Sequence, residues 1–442
     1  MGLLLPIHRG RSGVLWYTFS STITWDLNSL VLVVLTFFNL WSCLLAQSTI
    51  GAHGQRTLQL LLVILAVTTV LFFVERSWLK FYIYFEFSLL PIFLIIIGWG
   101  YQLERFRASK AMLLYTVVAS LPLLLVILIM QHRGAEALLQ VGLRKIAKTR
   151  FCWVDVFLVS AFLVKLPILY AHMWLPKAHV EAPVVGSIFL AAVLLKLGGY
   201  GLLKVFSSLR RARGLFTVLT RVARWSTLLI RALCLQASDI KVLVAFSSVA
   251  HIGLMLLALR RGSKLGRNCA LLILLRHGTR SSMAFFFSYL YYKISRTRRM
   301  LLNKGASVSL GLSLFFWRIC CLGVMGAPPS FNLWVEMRSF LAVLVISPLL
   351  MKLLIWAALL TGGYRIALMS FPISFNRQFE FRDKTPVSRL DLIHLTHSTA
   401  LLFILTFLTP LIIIYISMNL MKYFSCGVWG HVSSIGLCFK KN

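Results

Sequence analysis

The chain has 442 residues, of which 59% are hydrophobic and only 12 are acidic, against 46 lysines and arginines. With a mean hydropathy of +0.85, such a chain would not stay in water, which excludes a soluble enzyme and leaves a polytopic membrane protein. The net charge of +34 would point to nucleic acid in a soluble protein, but no aromatic-and-basic module accompanies it, so no nucleic acid is expected as a partner.

The apolar runs are about 20 residues long and do not alternate, so they are read as helices and not as barrel strands. The expected fold is all-α and polytopic, with about 13 membrane helices in a range of roughly 12 to 14. The N-terminal string MGLLLPIHRGRSG lacks the basic, apolar, then small-residue layout of a cleaved signal and is expected to stay in the chain. A weak first span is expected over residues 14–25, and clearer ones over 30–46 and 58–74. The next run, 78–99, carries Glu86 in the setting FYIYFEFSLLP. A carboxylate so deep in an apolar run must be neutralised, paired or hydrated, and is a functional candidate.

A polar loop precedes the span at 112–130, where Pro122 marks a kink. Residues 136–150 read as a basic amphipathic connector. The spans 151–174 and 183–206 then each hold one lysine, Lys165 and Lys196. A central lysine costs roughly 2.5–3.5 kcal/mol even on lenient insertion scales, so it is normally used. Its bland alternative is a lysine that snorkels to the headgroups. His172 and His179 continue a seven-residue spacing from Lys165, which would put all three on one face of an unbroken helix. Pro167, Pro176 and Pro183 forbid that helix, and interrupted helices occur at membrane depth only where freed carbonyls face protein or a wet cavity.

The run 215–235 is a span by length but contains Arg221, Arg224 and Arg231. Lys241 stands at a helix start and His251 within that helix; Asp239 reads as a helix-start charge. The span 269–292 holds His277. A span at 307–325 is followed by APPSFNLWVEM, a double proline at 328 and 329 and then Glu336 in an apolar run. Spans at 341–360, a neighbour ending near 373, and 392–418 complete the series, with a polar loop at 374–391 and a tail that does not span. The eight cysteines have no ligand spacing, and no nucleotide-binding or nucleophile motif is present.

WLPKAHVEAP followed by LLKLGGYG is similar to the antiporter-like membrane subunits of respiratory NADH:ubiquinone oxidoreductase, and the likeness extends with gaps from Glu75 to Glu336. The resemblance implies that Glu86, Lys165, Lys196 and Glu336 form a central charged axis for protons. It implies that His172, His179, Lys241, His251 and His277 are links in it. It also implies inverted repeats with broken helices, here divided as N-terminal helices 1–56, a first half 57–210, a second half 211–373, and a last loop, helix and tail 374–442. The departures are Val335, where the family usually has glycine, and an N-terminus shorter by about one helix.

On this resemblance the chain translocates protons in the inner mitochondrial membrane as one subunit of a complex that passes electrons from NADH to ubiquinone. NADH, FMN, iron–sulfur clusters and ubiquinone belong to the whole complex, and no cofactor or metal is expected in this chain. Its partners are other membrane-arm subunits and inner-membrane lipids, cardiolipin among them. A cation/proton antiporter subunit working without NADH is the alternative. Two bland readings stand beside these: a static buried ion pair for the charges, and packed histidines with one satisfied hydrogen bond.

The 29 arginines outnumber the 17 lysines, and Arg231, Arg276, Arg280, Arg318 and Arg365 fall inside apolar runs. In the resembling family the positions around HGTRSS, LLIRALCL and TRRMLL are commonly serine or small. Codes that read AGA and AGG as serine would produce this excess if the gene were translated with arginine there, so none of the five is expected to serve in a relay. Snorkelling or lipid-binding arginine is the alternative.

Overall fold

In a computed structural model of the chain, residues 7–9, 15–18, 24–47, 54–132, 152–206, 213–259, 264–306, 310–328, 330–344, 348–373 and 387–424 are described. Apart from three short strands these residues form helices and their connections. The strands β1 (Ile7–Arg9), β2 (Leu15–Thr18) and β3 (Thr24–Trp25) pair antiparallel in that order. Strands β2 and β3 occupy the described part of the stretch 14–25, expected as a weak span. That stretch is too short to cross a bilayer as a helix, and its threonines and aromatics suit strands better.

Helix α1 (Leu27–Ala46) begins where Asp26 N–H donates to Ser29 Oγ at 2.9 Å. The start is tied down by Lys204, whose Nζ lies 2.6 Å from Asp26 Oδ2. Then follow α2 (Gln55–Val74), α3 (Trp78–Phe87), α4 (Leu89–Trp99) and α5 (Arg105–His132). Helix α6 (Cys152–Lys165), α7 (Trp174–Glu181), α8 (Val184–Phe189), a π turn (Leu190–Leu194) and α9 (Leu195–Phe206) form the centre. The second half holds α10 (Arg213–Gln236), α11 (Ile240–Leu259), α12 (Lys264–Ser295), α13 (Leu312–Met325), α14 (Phe331–Leu344), α15 (Pro348–Ser370) and α16 (Arg389–Phe424).

Among the described residues, eight helical stretches are long and apolar enough to cross a membrane. Val184–Phe206 and Ile240–Leu259 are almost wholly buried, whereas Arg105–His132 and Met351–Ser370 bury only a third of their apolar window. The two buried stretches are therefore the core, and the outer helices turn large apolar side chains outward, as lipid-facing helices do. Close packing at the centre rests on glycine. A Cβ at Gly201 would sit 2.2 Å from the Phe162 ring, so α9 meets α6 almost backbone to ring.

Both expected helix breaks are present. Helix α6 stops at Lys165; Pro167 offers no N–H to the Leu163 carbonyl, and the chain turns through Tyr170 at φ 75° before α7 starts at Trp174. Trp174 Nε1 donates to the Val164 carbonyl at 3.1 Å, so the second piece caps the first. Helix α13 ends on Gly326 at φ 79°, a left-handed closure that glycine adopts freely, and α14 restarts at Phe331. Of the region 341–373, expected to hold two spans, residues 341–344 end α14 and Pro348–Ser370 form a single helix, α15. Pro348 opens it because its missing N–H and preset φ suit the first helical position. The connector at 136–150, Pro329, the loop at 374–386 and the tail from 425 lie outside the described residues.

Candidate functional site

Glu86 lies near the end of α3, half-buried, within electrostatic reach of Lys165 and beside the Ser120 hydroxyl. Lys165 is the last residue of α6 and is 2% exposed. Its Nζ donates to the Phe85 carbonyl at 2.7 Å, reaches Ser88 Oγ at 3.4 Å, and stands 3.5 Å from the centre of the Phe85 ring. The ammonium is thus held on the residue next to the carboxylate, by backbone, hydroxyl and ring together. Glu86 Oε1 has no hydrogen-bond partner. The pair is close without being locked.

Lys196, 1% exposed, follows the π turn, where one extra residue widens the helix. Nζ donates to the Ala191 carbonyl at 2.5 Å and lies 2.8 Å from His277 Nδ1 on α12. A cavity of about 10 Å³ lined by Leu166, Lys196, His251 and His277 lies alongside, at the threshold for a single water. The His277 and His251 rings are 6.2 Å apart, and both line a second cavity of about 40 Å³.

The string continues to Glu336. Arg276 Nη2 lies 2.8 Å from His251 Nδ1, and its Nη1 lies 3.0 Å from Glu336 Oε1 and bonds Asn332 Oδ1. Arg365 reaches the same carboxylate oxygen at 3.6 Å and His251 Nε2 at 3.3 Å. Asn332 Nδ2 also donates to Glu336 Oε1, at 3.3 Å. Lys196, His277, His251 and Glu336 therefore form one connected line from α9 through α12 and α11 to α14.

The other expected links stand to the side. Lys241 donates to the Ala182 carbonyl at 3.0 Å and lies over the Tyr101 ring. His179 is stacked on Phe285 at 4.5 Å, with neither ring nitrogen hydrogen-bonded, and lies within electrostatic reach of Lys241 and Lys196. His172 packs near Phe246, and its Nδ1 has no partner. Sequence reading missed Asn332, whose signal was its position one helical turn before Glu336. It also missed the ion pair of Arg298 with Glu181 at 3.7 Å. Of the five arginines inside apolar runs, Arg231, Arg276, Arg280 and Arg365 are buried, but Arg318 is exposed on α13.

A helical membrane bundle with two broken helices and an internal line of titratable groups is of the class in which charge moves between sites inside the protein. Residues 76–361 match the family described as NADH:quinone oxidoreductase/Mrp antiporter, TM, and the chain belongs to that family. It is 32% identical over 437 residues to NADH-ubiquinone oxidoreductase chain 4 of Polypterus ornatipinnis, covering 97% of this chain and 92% of that one. It is 37% identical over 309 residues to the same chain of Lumbricus terrestris, covering 69% and 68%.

Among solved structures, respiratory complex I from Thermus thermophilus with bound NADH matches with a TM-score of 0.77 at 21% identity, over 95% of this chain and 86% of that chain. The Mrp complex from Dietzia sp. DQ12-45-1b matches with a TM-score of 0.77 at 19% identity, over 88% and 44%. These two likenesses establish the fold.

Proposed function

We propose that this chain is a proton-translocating subunit in the membrane arm of an NADH:ubiquinone oxidoreductase, in the place that chain 4 holds in its relatives. Electrons pass from NADH to ubiquinone elsewhere in the complex, and this chain turns the resulting displacement of charge into proton movement. NADH, FMN, iron–sulfur clusters and ubiquinone reside outside it. Its partners are the neighbouring membrane-arm subunits and, at its outer surface, inner-membrane lipids such as cardiolipin; its place is the mitochondrial inner membrane. The halves 57–210 and 211–373 each contribute one broken helix, α6/α7 and α13/α14, in a bundle expected to total about 13 helices.

The observation that carries this reading is the contact of Lys196 Nζ with His277 Nδ1 at 2.8 Å. A static ion pair needs a carboxylate, and this contact has none. An ammonium donating to an imidazole nitrogen is instead a pair across which a proton passes without intervening water. Lysine can give up its proton inside a protein, which arginine does not do at any working pH. The imidazole then hands the proton toward His251 across the cavity both rings line, and Glu336 is the acceptor at the end of the line. At the other end, Glu86 and Lys165 attract each other in a low dielectric. A change of charge on either alters how firmly the other holds its own.

The alternative is a cation/proton antiporter subunit working without NADH, a role compatible with the fold shared with the Mrp complex. The redox reading is favoured because the Polypterus relative is matched over nearly its whole length. Purification under mild detergent separates the two. Recovery of the chain with a flavin- and iron–sulfur-containing soluble arm supports the redox subunit, and recovery with antiporter subunits alone refutes it.

A further inference from the structure

In the proton line proposed above, Arg276 stands between His251 and Glu336, and a guanidinium does not release a proton at any working pH. Arg276 is also one of four buried arginines, Arg231, Arg276, Arg280 and Arg365, between 1% and 8% exposed. All four lie within electrostatic reach of the one carboxylate of Glu336. Among the described residues, four positive charges against this one carboxylate at membrane depth is a costly arrangement. Other buried acids are engaged elsewhere: Asp26 with Lys204, Glu181 with Arg298, and Asp391 with Lys293.

The hydrogen bonding fails in the same way. The Nε of each of the four arginines is buried without a hydrogen bond, but so is that of Arg105, so the failure that sets the four apart lies at His251. His251 meets Arg276 on Nδ1 and Arg365 on Nε2, yet a neutral imidazole has one accepting nitrogen, so one of these contacts sets donor against donor. Small residues stand between and beside positions 276 and 280. Between them, a Cβ on Gly278 would lie 2.7 Å from Leu35 and 3.1 Å from the Ala192 carbonyl. Thr279, Ser281 and Ser282 adjoin it, each hydroxyl donating to a carbonyl three residues back. The arginines at the bundle's edge behave differently. Arg105 donates to the Gly100 carbonyl at 2.8 Å, and Arg298 pairs with Glu181 and with the Val180 carbonyl.

We propose that the native subunit carries serine at positions 231, 276, 280 and 365, the gene's AGA and AGG codons being read as serine in the organelle that makes it. A serine hydroxyl both donates and accepts, so serines at 276 and 365 remove the donor clash at His251. The volume released beside Glu336 admits water. The line from Lys196 to Glu336 then consists wholly of groups that pass protons. The functional part of this inference rests on the reading proposed above, but the residue identities do not.

The test is peptide mass spectrometry of the native subunit, with the gene's codons read alongside. Serine at 276 and 280, with no tryptic cleavage after either, and AGA or AGG at all four positions is the expected result; Arg105 serves as the control, expected to be a CGN codon and arginine by mass. Arginine by mass at 276 or 280, or a CGN codon at either, overturns the proposal. Neither measurement depends on whether the subunit pumps protons.

Discussion

Lys196 Nζ and His277 Nδ1 are 2.8 Å apart although the residues are 81 positions apart in the chain. Neither side chain is more than 8% exposed, and the contact joins the helix that follows the π turn to α12.

Replacing Lys196 by arginine tests whether release of the proton matters. The charge and the donors are kept, but the proton is no longer given up. Proton translocation per NADH oxidised should fall by about tenfold or more, while assembly of the complex on native gels is retained. An arginine variant that pumps normally would show that the ammonium acts only as a fixed charge.

Glu86 and Glu75 form a second test, because both are acids of the same region in different settings. Glu75 Oε1 accepts from Arg76 N, Ser77 N and Ser77 Oγ at the start of α3, a task that the amide oxygen of glutamine also performs. Glu86→Gln should depress coupled proton translocation several-fold more than Glu75→Gln in the same vesicle assay. Equal effects would show that the pairing with Lys165 is not what matters.

Gly201→Ala probes the packing that holds Lys165 opposite Glu86. The added Cβ would overlap the Phe162 ring at 2.2 Å, and overpacking of this kind costs about 1–3 kcal/mol. The thermal transition of the subunit within the detergent-solubilised complex should drop by several degrees. Gly98→Ala, where a Cβ meets nothing within 4 Å, should leave that transition where it was.

Metal and flavin analysis of the isolated subunit is expected to give no stoichiometric cofactor. The cysteines lack ligand spacing, and the central histidines are occupied by lysine, arginine or aromatic rings. One equivalent of metal or flavin per chain would contradict this.

The sequence by itself determined that this is a helical membrane protein, because apolar runs of bilayer length admit little else. It also marked both helix breaks, since Pro167 and Pro328 each remove a hydrogen-bond donor wherever they stand. It picked out Glu86, Lys165, Lys196 and Glu336 because a charge in such a run is conspicuous without any knowledge of its neighbours.

What only the tertiary structure decided is which charge meets which. His277 and His251 looked like lone packed histidines along the chain; the crossing of α9, α11 and α12 makes them the middle of the line. His172 and His179, conspicuous by their regular spacing, are turned instead toward Phe246 and Phe285. Arg318 shared a composition with the four buried arginines, but the face of α13 that carries it points outward. A spacing of seven records position along one helix axis. Contacts across 60 to 81 residues depend on how separate helices are rotated about their axes, and that rotation is set by the packing of many side chains at once.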